Sequence, residues 1–471
     1  MSTIQQQAAE SDQEQEEAGQ VAESNQEHKA GGSEQLAESD KKQEAGCSDR
    51  FCSNYLETLF PLNKFNGIGS IYPYSTGSMK ALFVTDPNMV KDLAMYRPAK
   101  DEPSYLGKPR YLQEEGMVYL MVGSANEMLA SWENITDKQG GSAEVVVDES
   151  LRNFAADVIS KACFGSSYSE LNEIFNNIRQ LQIALAEQTM IFGVPGSRYL
   201  PTNNNIEIWS LEASIRRLIL DMANKRREHN AATPEDEKHL LLVDSILKGA
   251  EQAGSLISSS TTPEYDFIVD NCKNIFFAGH ETTATTAAWC LMLLASHPEW
   301  QSRARAEVQE VCQGKPPDVD KLKKLSTVTS VIQETLRLYP PTPFVTREAL
   351  ADLKLGDRDI PRGTNIWVPI ALAHRNSAVW VGDPDMFDPG RFVGGKIAAA
   401  CKQPHMNIPF GMGHRTCPGQ SLAMFELRVV LALLLHKFEF ALSRKYVHAP
   451  AFRISVEPGE GVPLILKKLD N

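Results

Sequence analysis

The chain has 471 residues, of which 42% are hydrophobic and 23% are charged, a composition that can bury a large core. Its 60 acidic residues outnumber its 47 basic residues, so it lacks the positive excess that nucleic-acid binding requires. The eight cysteines have no regular spacing, which predicts a reducing compartment and no disulfide framework.

The apolar pattern contains no segment typical of secretion or membrane insertion. The longest apolar run, residues 287–295, is about half the length of a membrane-spanning helix. No signal-peptide pattern opens the chain. We therefore expect a protein that is neither secreted nor integral to a membrane.

The first fifty residues differ in composition from the rest of the chain. Residues 1–50 contain twelve acidic residues, four basic residues, nine glutamines and no aromatic residue. Such a segment cannot bury enough apolar surface to offset its chain entropy. We predict a disordered acidic tail over residues 1–50, a solvated leader in preference to an interaction arm, and a single domain over residues 51–471.

The domain is predicted to be mainly α with a minor β sheet. Helical apolar spacing covers residues 148–164, 206–228, 265–296, 298–312, 325–338 and 418–437, with a short helix at 240–247. Short strands are predicted at residues 82–85, 144–147, 352–355 and 365–370. Pro298 and Pro340 each end a helix, because the proline ring disfavours helical geometry in the preceding residue.

The strongest local signal is the segment FGMGHRTCPG at residues 410–419. Cys417 stands at the predicted start of a helix, with Pro418 in its first turn, where free N–H groups favour a thiolate. Arg415 can reach an anionic group, and the glycines of the segment allow a close approach. These features together indicate a haem with thiolate ligation. The alternative is a structural cysteine in a glycine-rich turn.

This segment resembles the haem-binding motif of the cytochrome P450 family, F-x-x-G-x-R-x-C-x-G, and the resemblance extends over most of the predicted domain. It implies the haem-thiolate fold of that family. It also implies that Cys417 is the proximal iron ligand, that Arg415 pairs with a haem propionate and that Phe410 packs beside the sulfur. Gly413 and Gly419 complete the motif.

A second pattern similar to the family joins three charged residues. Glu334 and Arg337 share one helix face, so their charges can pair. The segment PGRF at residues 389–392 is similar to the family pattern P-x-R-F, which implies that Arg391 joins the pair beneath the cofactor. Arg347 stands where relatives place another arginine that pairs with a propionate.

A third pattern, AGHETT at residues 278–283, lies in the long predicted helix. Small residues at 278 and 279 leave room for a flat ligand, and Thr282 can donate to the Ala278 carbonyl and open the helix locally. The resemblance implies that Glu281 and Thr282 relay protons for oxygen activation. A zinc metalloprotease is excluded, because its motif needs histidine at position 284, which is Ala284. A core threonine is the alternative.

Longer strings resemble one plant branch of the family, the gibberellin-oxidising, elongated-uppermost-internode type. They lie at residues 198–202, 268–281 and 443–453. The resemblance implies a small hydrophobic substrate, such as a gibberellin-type diterpenoid, haem b as cofactor, and NADPH electrons from NADPH-cytochrome P450 reductase. It places the protein at the cytosolic face of the endoplasmic reticulum membrane and allows contact with the membrane surface.

Two departures from the family separate the functional hypotheses. Relatives begin with a membrane anchor, where this chain has its acidic tail. They also carry a W-x-x-x-R helix before the segment that begins at Met117, whereas Trp132 here precedes Thr136 by four residues. An alternative transcript or a faulty gene model accounts for both departures. The first hypothesis is a working monooxygenase, and the alternative is a truncated, non-catalytic haem-binding or decoy protein. An isomerase that uses no O2 is disfavoured by the Glu281–Thr282 pair.

Overall fold

The computed structural model describes residues 71–76, 79–95, 114–187, 196–233, 241–256, 263–394 and 397–469. The predicted acidic tail lies outside these residues. Among the helices within them, none has the length and hydropathy of a membrane-spanning segment.

Helices dominate the described part of the chain. They are α1 (Pro87–Met95), α2 (Glu114–Lys138), α3 (Asp148–Ile159), α4 (Tyr168–Glu187), α5 (Asn203–Ala232), α6 (Leu242–Leu256), α7 (Pro263–Ser296), α8 (Pro298–Cys312), α9 (Val319–Lys324), α10 (Ser326–Leu338), α11 (Ile370–His374), α12 (Ile397–Ala400) and α13 (Gln420–Lys437). A π-helical turn, Ser160–Phe164, continues α3, and short 3-10 turns lie at Ser197–Tyr199, Pro389–Phe392, Pro404–Met406 and Gly413–Arg415.

The strands form small sheets. They are β1 (Ile71–Thr76), β2 (Met79–Val84), β3 (Ser142–Val146), β4 (Phe344–Glu348), β5 (Leu353–Leu355), β6 (Arg358–Ile360), β7 (Asn365–Pro369), β8 (Phe438–Leu442), β9 (Pro450–Arg453), β10 (Ser455–Pro458) and β11 (Pro463–Lys468). One sheet has the order β1-β2-β7-β4, with β2 and β7 parallel. Another has the order β3-β11-β8 and is antiparallel, and β5–β6 and β9–β10 are separate pairs.

The predicted mainly α fold with a minor sheet is confirmed. The helix from Pro298 to Cys312 has the predicted bounds, with proline in its first turn. Helix α4 was not predicted, and α6 is longer than expected. Helix α13 begins at Gln420 with Gly419 as its N-cap, so the prediction that Pro418 lies in its first turn is wrong.

Helix α7 passes through the protein interior and packs closely on α3. A Cβ atom at Gly279 would lie only 2.5 Å from Cδ1 of Ile159, so this glycine is what allows the two helices to approach. The rings of Phe164 and Phe276 stack next to this crossing, with centroids 4.1 Å apart. The expectation that Gly279 leaves room for a flat ligand is therefore incomplete, because Ile159 occupies the space beside it.

A buried ion cluster fixes α10 to the segment that follows α11. The Glu334 carboxylate accepts two hydrogen bonds of 2.7 Å from Arg337, and Nε of Arg391 lies 3.4 Å from it. Arg337 donates its remaining hydrogen bonds to the carbonyls of His374, Pro384 and Met386. The predicted glutamate–arginine–arginine cluster therefore forms. Besides pairing its three charges, it binds three backbone carbonyls through Arg337.

We expect Glu334→Gln to lower the free energy of unfolding by about 3–5 kcal/mol, because it leaves the buried guanidinium of Arg337 without a counter-charge. Urea unfolding followed by circular dichroism measures the change. Glu439→Gln is the matched control, since Glu439 and Lys467 lie 3.7 Å apart with both side chains more than half exposed. The control should change the stability by about 0.5 kcal/mol or less. Equal losses in both variants would contradict the prediction.

Candidate functional site

A cavity of about 460 Å³ lies between the middle of α7, the start of α13 and strand β4. Most of the residues around it are apolar. The polar and charged residues that line it come from distant parts of the chain and are Cys163, Thr282, Thr283, Thr286, Thr342, Thr346, Arg347, Arg415, Cys417 and Glu426. The fold therefore brings Thr282, Arg347, Arg415 and Cys417, which the sequence singled out separately, to one site.

The cysteine loop (residues 408–419) is held by its own backbone hydrogen bonds. The N–H of Cys417 donates to the Phe410 carbonyl at 2.8 Å, and Phe410 also lines the cavity. Gly413 has a φ of +66°, and a Cβ atom there would lie 2.6 Å from the carbonyl oxygen of Ala94 in α1. Gly413 thus seats the loop on α1 and is not among the residues that line the cavity, whereas Gly419 is.

The surroundings of Cys417 do not by themselves favour a thiolate. The residue is exposed, yet burial of its sulfur raises the pKa of the thiol, and a hydrogen bond from the Gly419 N–H only partly opposes this. The expectation of a lowered pKa at a helix end is therefore wrong for the thiol alone. The physical reason is that desolvation of the sulfur outweighs the hydrogen bond from Gly419, the N-cap residue of the helix.

Two arginines bring positive charge to the same wall of the cavity. Arg347 donates hydrogen bonds to the carbonyls of Thr346 and Met412, at 2.7 and 2.9 Å. Burial lowers the pKa of Arg347, and the charge of Arg415 lowers it further. Since two like charges repel each other, an anionic group between these side chains would stabilise both. The wall is therefore suited to carboxylates.

Thr282 lines the cavity from the centre of α7. Its hydroxyl donates to the Ala278 carbonyl at 2.8 Å, as predicted, and Thr286 donates in turn to the Thr282 carbonyl at 2.7 Å. Helix α7 nevertheless continues without interruption from Pro263 to Ser296, so the predicted local opening of the helix is not observed. The lone pairs of the Thr282 hydroxyl remain available to accept a hydrogen bond from the cavity.

Glu281 is fully buried outside the cavity lining, in an ion cluster with Arg152, Arg179 and Glu457. The arginine nitrogens lie 3.4 and 3.2 Å from its carboxylate. Burial raises the pKa of Glu281, although both arginines act in the opposite direction. Burial also acts to raise the pKa of Glu457, but the hydrogen bond from Arg179 and the charges of Arg152 and Arg179 outweigh it and bring the pKa to about 2. A proton in this cluster is therefore held by Glu281 more readily than by Glu457.

Two ionisable residues of the cavity were missed by sequence reasoning. Cys163 lies in the π-helical turn after α3, and Glu426 lies on α13 among buried aliphatic residues. Burial, with a smaller effect of Glu426, raises the pKa of the Cys163 thiol to about 12. An acidic residue within the mostly apolar segment of residues 422–435 was the available signal for Glu426.

Comparisons with known proteins identify the family. A family model described as cytochrome P450 matches residues 106–456. Cytochrome P450 714C2 of Oryza sativa subsp. japonica is 57% identical over 93% of this chain and 88% of the relative. Cytochrome P450 714B3 of Zea mays is 40% identical over 86% of this chain and 78% of the relative. Cytochrome P450 714A2 of Arabidopsis thaliana is 38% identical over 84% and 81%, respectively.

A solved structure supports the fold independently. The crystal structure of the cytochrome P450DA heme domain matches with a TM-score of 0.69 and 22% identity, over 88% of this chain and 95% of that chain. At this level of identity the likeness concerns the fold alone. The predicted recognition of the family and of its plant branch is confirmed by the sequence relatives. The chain belongs to the cytochrome P450 family of haem-containing monooxygenases.

Proposed function

We propose that this protein is a haem-thiolate monooxygenase that inserts one oxygen atom from O2 into a gibberellin-type diterpenoid. The observation that carries the proposal is the meeting of Cys417, Arg347, Arg415 and Thr282 around one largely apolar cavity. The alternative of a non-catalytic decoy has no support, because the thiol of Cys417, the two arginines and the hydroxyl of Thr282 all line that cavity.

The residues of the cavity fit a haem b. Its apolar lining suits the macrocycle, and the neighbouring charges of Arg347 and Arg415 suit the two propionates. Cys417 is proposed as the iron ligand, since metal binding supplies the stabilisation of a thiolate that the helix end does not. Gly419 lies beside the sulfur, Phe410 lines the same cavity, and Gly413 positions the loop. When bound, the haem supplies the activation of O2.

Thr282 and Glu281 are proposed to handle protons on the α7 side of the cavity. The Thr282 hydroxyl is fixed by its bond to Ala278 and can orient water in the cavity. Glu281 faces the ion cluster behind it, where burial raises its pKa towards the range useful for a general acid. A change in its contacts with Arg152 and Arg179 would be required before its proton reached Thr282.

The finer assignments rest on the family and its branch. Cytochromes P450 generally receive electrons from a redox partner, and we propose NADPH-cytochrome P450 reductase for this chain. We also propose a location at the cytosolic face of the endoplasmic reticulum. The gibberellin class is proposed from the resemblance to the plant branch, and the identity of 57% with the rice protein 714C2 supports membership of that branch. Oxidation of individually supplied gibberellins, followed by mass spectrometry, tests the substrate class, and failure with every gibberellin would reject it.

We expect the reduced, CO-bound protein to absorb at the position typical of thiolate-ligated haem, and Cys417→Ala to abolish this absorption. The reason is that Cys417 would be the sulfur donor to iron. Cys163→Ala is the matched control, because Cys163 lines the same cavity but holds its proton with a pKa of about 12. Loss of the absorption in the control, or its survival in Cys417→Ala, would refute the ligand assignment.

We expect Thr282→Ala to retain haem but to release peroxide, with about a 10-fold or greater fall in product formed per NADPH oxidised. The variant loses the hydroxyl that orients cavity water. Thr282→Ser should preserve coupling because it keeps this hydroxyl. Thr285→Ala is a control, since Thr285 is buried but does not line the cavity. Unchanged coupling in Thr282→Ala would assign proton delivery to another path.

The chain should retain haem weakly, because none of its six tryptophans is followed by arginine four residues later. Each missing charge-assisted hydrogen bond to a propionate costs about 1.5–3 kcal/mol.

The alignment with rice 714C2 spans 472 positions but covers only 93% of this chain, so some residues of the relative have no counterpart here. Insertion after Lys108 of a W-x-x-x-R helix, as the resemblance to the family implies, should raise haem retention, measured by haem transfer to apomyoglobin, and turnover, measured by product formation. Deletion of residues 1–48 serves as the control and should change neither. Equal haem loss with and without the insertion would contradict the prediction.

A further inference from the structure

The carboxylate of Glu457 binds the arginines that lie next to Glu281. Arg179 donates to it through both Nη atoms at 2.7 Å, and Nη2 of Arg152 donates to it at 2.7 Å. Arg453, four residues earlier in the chain, also donates to this carboxylate. Glu457 lies on β10, is fully buried and does not line the cavity, and the function proposed above gives it no role.

The same arginines make longer contacts with Glu281. Nη1 of Arg179 lies 3.2 Å from Oε1 of Glu281, and Nε of Arg152 lies 3.4 Å from Oε2. This Oε2 atom has no hydrogen-bond partner in the part of the chain that the structure describes. The strong hydrogen bonds between arginine and carboxylate are about 2.7–2.9 Å long, so both arginines are bound mainly by Glu457.

A histidine beside Glu281 supplies no counter-charge. Nε2 of His280 lies 3.6 Å from Oε2 of Glu281. Burial lowers the pKa of His280 to about 4, and its Nδ1 atom lies 2.7 Å from the carbonyl oxygen of Phe276. Because a carbonyl oxygen can only accept, Nδ1 carries the proton and Nε2 of the neutral ring is an acceptor. The charge of Glu281 therefore depends on how the two arginines are divided between it and Glu457.

We propose that Glu457 is a positioning residue for proton delivery, which binds the two arginines beside Glu281 and so prevents them from ionising it. The charge of Glu457 and a hydrogen bond between the two carboxyl groups act to raise the pKa of Glu281, whereas both arginines act to lower it. Glu457 itself stays ionised, because its pKa is about 2, and it does not supply the proton. This inference rests on the proposed monooxygenase function, in which Glu281 handles protons.

Infrared titration of the haem-containing protein tests the proposal without turnover. The neutral carboxyl band that Glu281→Gln removes identifies Glu281, and the pH at which half of this band is lost is its midpoint. Glu457→Gln should lower the midpoint by about 1–3 pH units, because the released arginines favour the ionised form. Glu460→Gln is the matched control, since Glu460 is an exposed glutamate three residues later, and it should leave the midpoint unchanged. An unchanged or raised midpoint in Glu457→Gln, or the absence of any band from Glu281, would overturn the proposal.

A variant with the opposite expected effect decides the question if Glu457→Gln does not fold. Arg152→Gln removes one arginine and leaves the ion pair between Arg179 and Glu457 in place. Because Arg152 acts to lower the pKa of Glu281, the midpoint should rise in this variant. A midpoint that stays the same or falls would contradict the proposal.

The pH dependence of coupling provides the second readout, with the gibberellin that gives the fastest turnover as substrate. Product per NADPH should be retained at low pH and should fall as the pH rises through the midpoint of Glu281. In Glu457→Gln this fall should occur at a lower pH, by the same shift as the infrared band, and Glu460→Gln should not move it. A loss of product at every pH, with no change in the pH of the fall, would indicate a structural role and overturn the proposal.

Failure of the proposed function is recognised separately. A wild-type protein that lacks the thiolate-haem absorption, or that oxidises no gibberellin, would reject the function. The infrared midpoints of Glu457→Gln and Arg152→Gln would still decide whether Glu457 controls the proton of Glu281.

Discussion

The position of the cysteine loop depends on the buried carboxylate of Glu334, because a chain of hydrogen bonds connects the two. Glu334 neutralises Arg337, which donates to the carbonyl of His374. Burial and the charge of Arg337 lower the pKa of His374 to about 3, so its neutral ring accepts the N–H of Ile408 at the start of the loop. The loop carbonyls at 408 and 410 then fix Gly411 and Cys417. The buried charge of Glu334 therefore helps to fix the position of the Cys417 sulfur, although the two residues are distant in sequence.

Burial raises the pKa of both central glutamates, Glu281 on α7 and Glu426 on α13, but their surroundings differ. At Glu281 the charges of Arg152 and Arg179 act against this rise. At Glu426 burial alone acts, and it raises the pKa well above the usual value. Desolvation is common to both sites, so the neighbouring arginines account for the difference between them.

Features set by local sequence could be predicted, whereas those set by packing between distant segments could not. Pro298 correctly predicted the start of α8, and the spacing of Glu334 and Arg337 correctly predicted their ion pair. The hydrogen bond of Thr282 was likewise foreseeable from its position four residues after Ala278. The partners of Glu281 come from α3, α4 and β10, and the sequence around Glu281 does not predict them. The role of Gly279 also depends on a crossing helix, since its missing side chain accommodates Ile159.

The order of strands in the β3-β11-β8 sheet has a consequence for how the protein is made. Within the part of the chain that the structure describes, strand β3 pairs with β11 alone, and the adjoining hydrogen bond joins Asp148 to Val462 across 314 residues. At ordinary elongation rates, a ribosome needs roughly 15–60 s to synthesise the intervening chain. During that interval β3 has an unpaired edge, and such edges promote association with other chains. Arg152 on α3 is also synthesised long before its ion-pair partner Glu457. The ion cluster around Glu281 is therefore completed only late in biosynthesis.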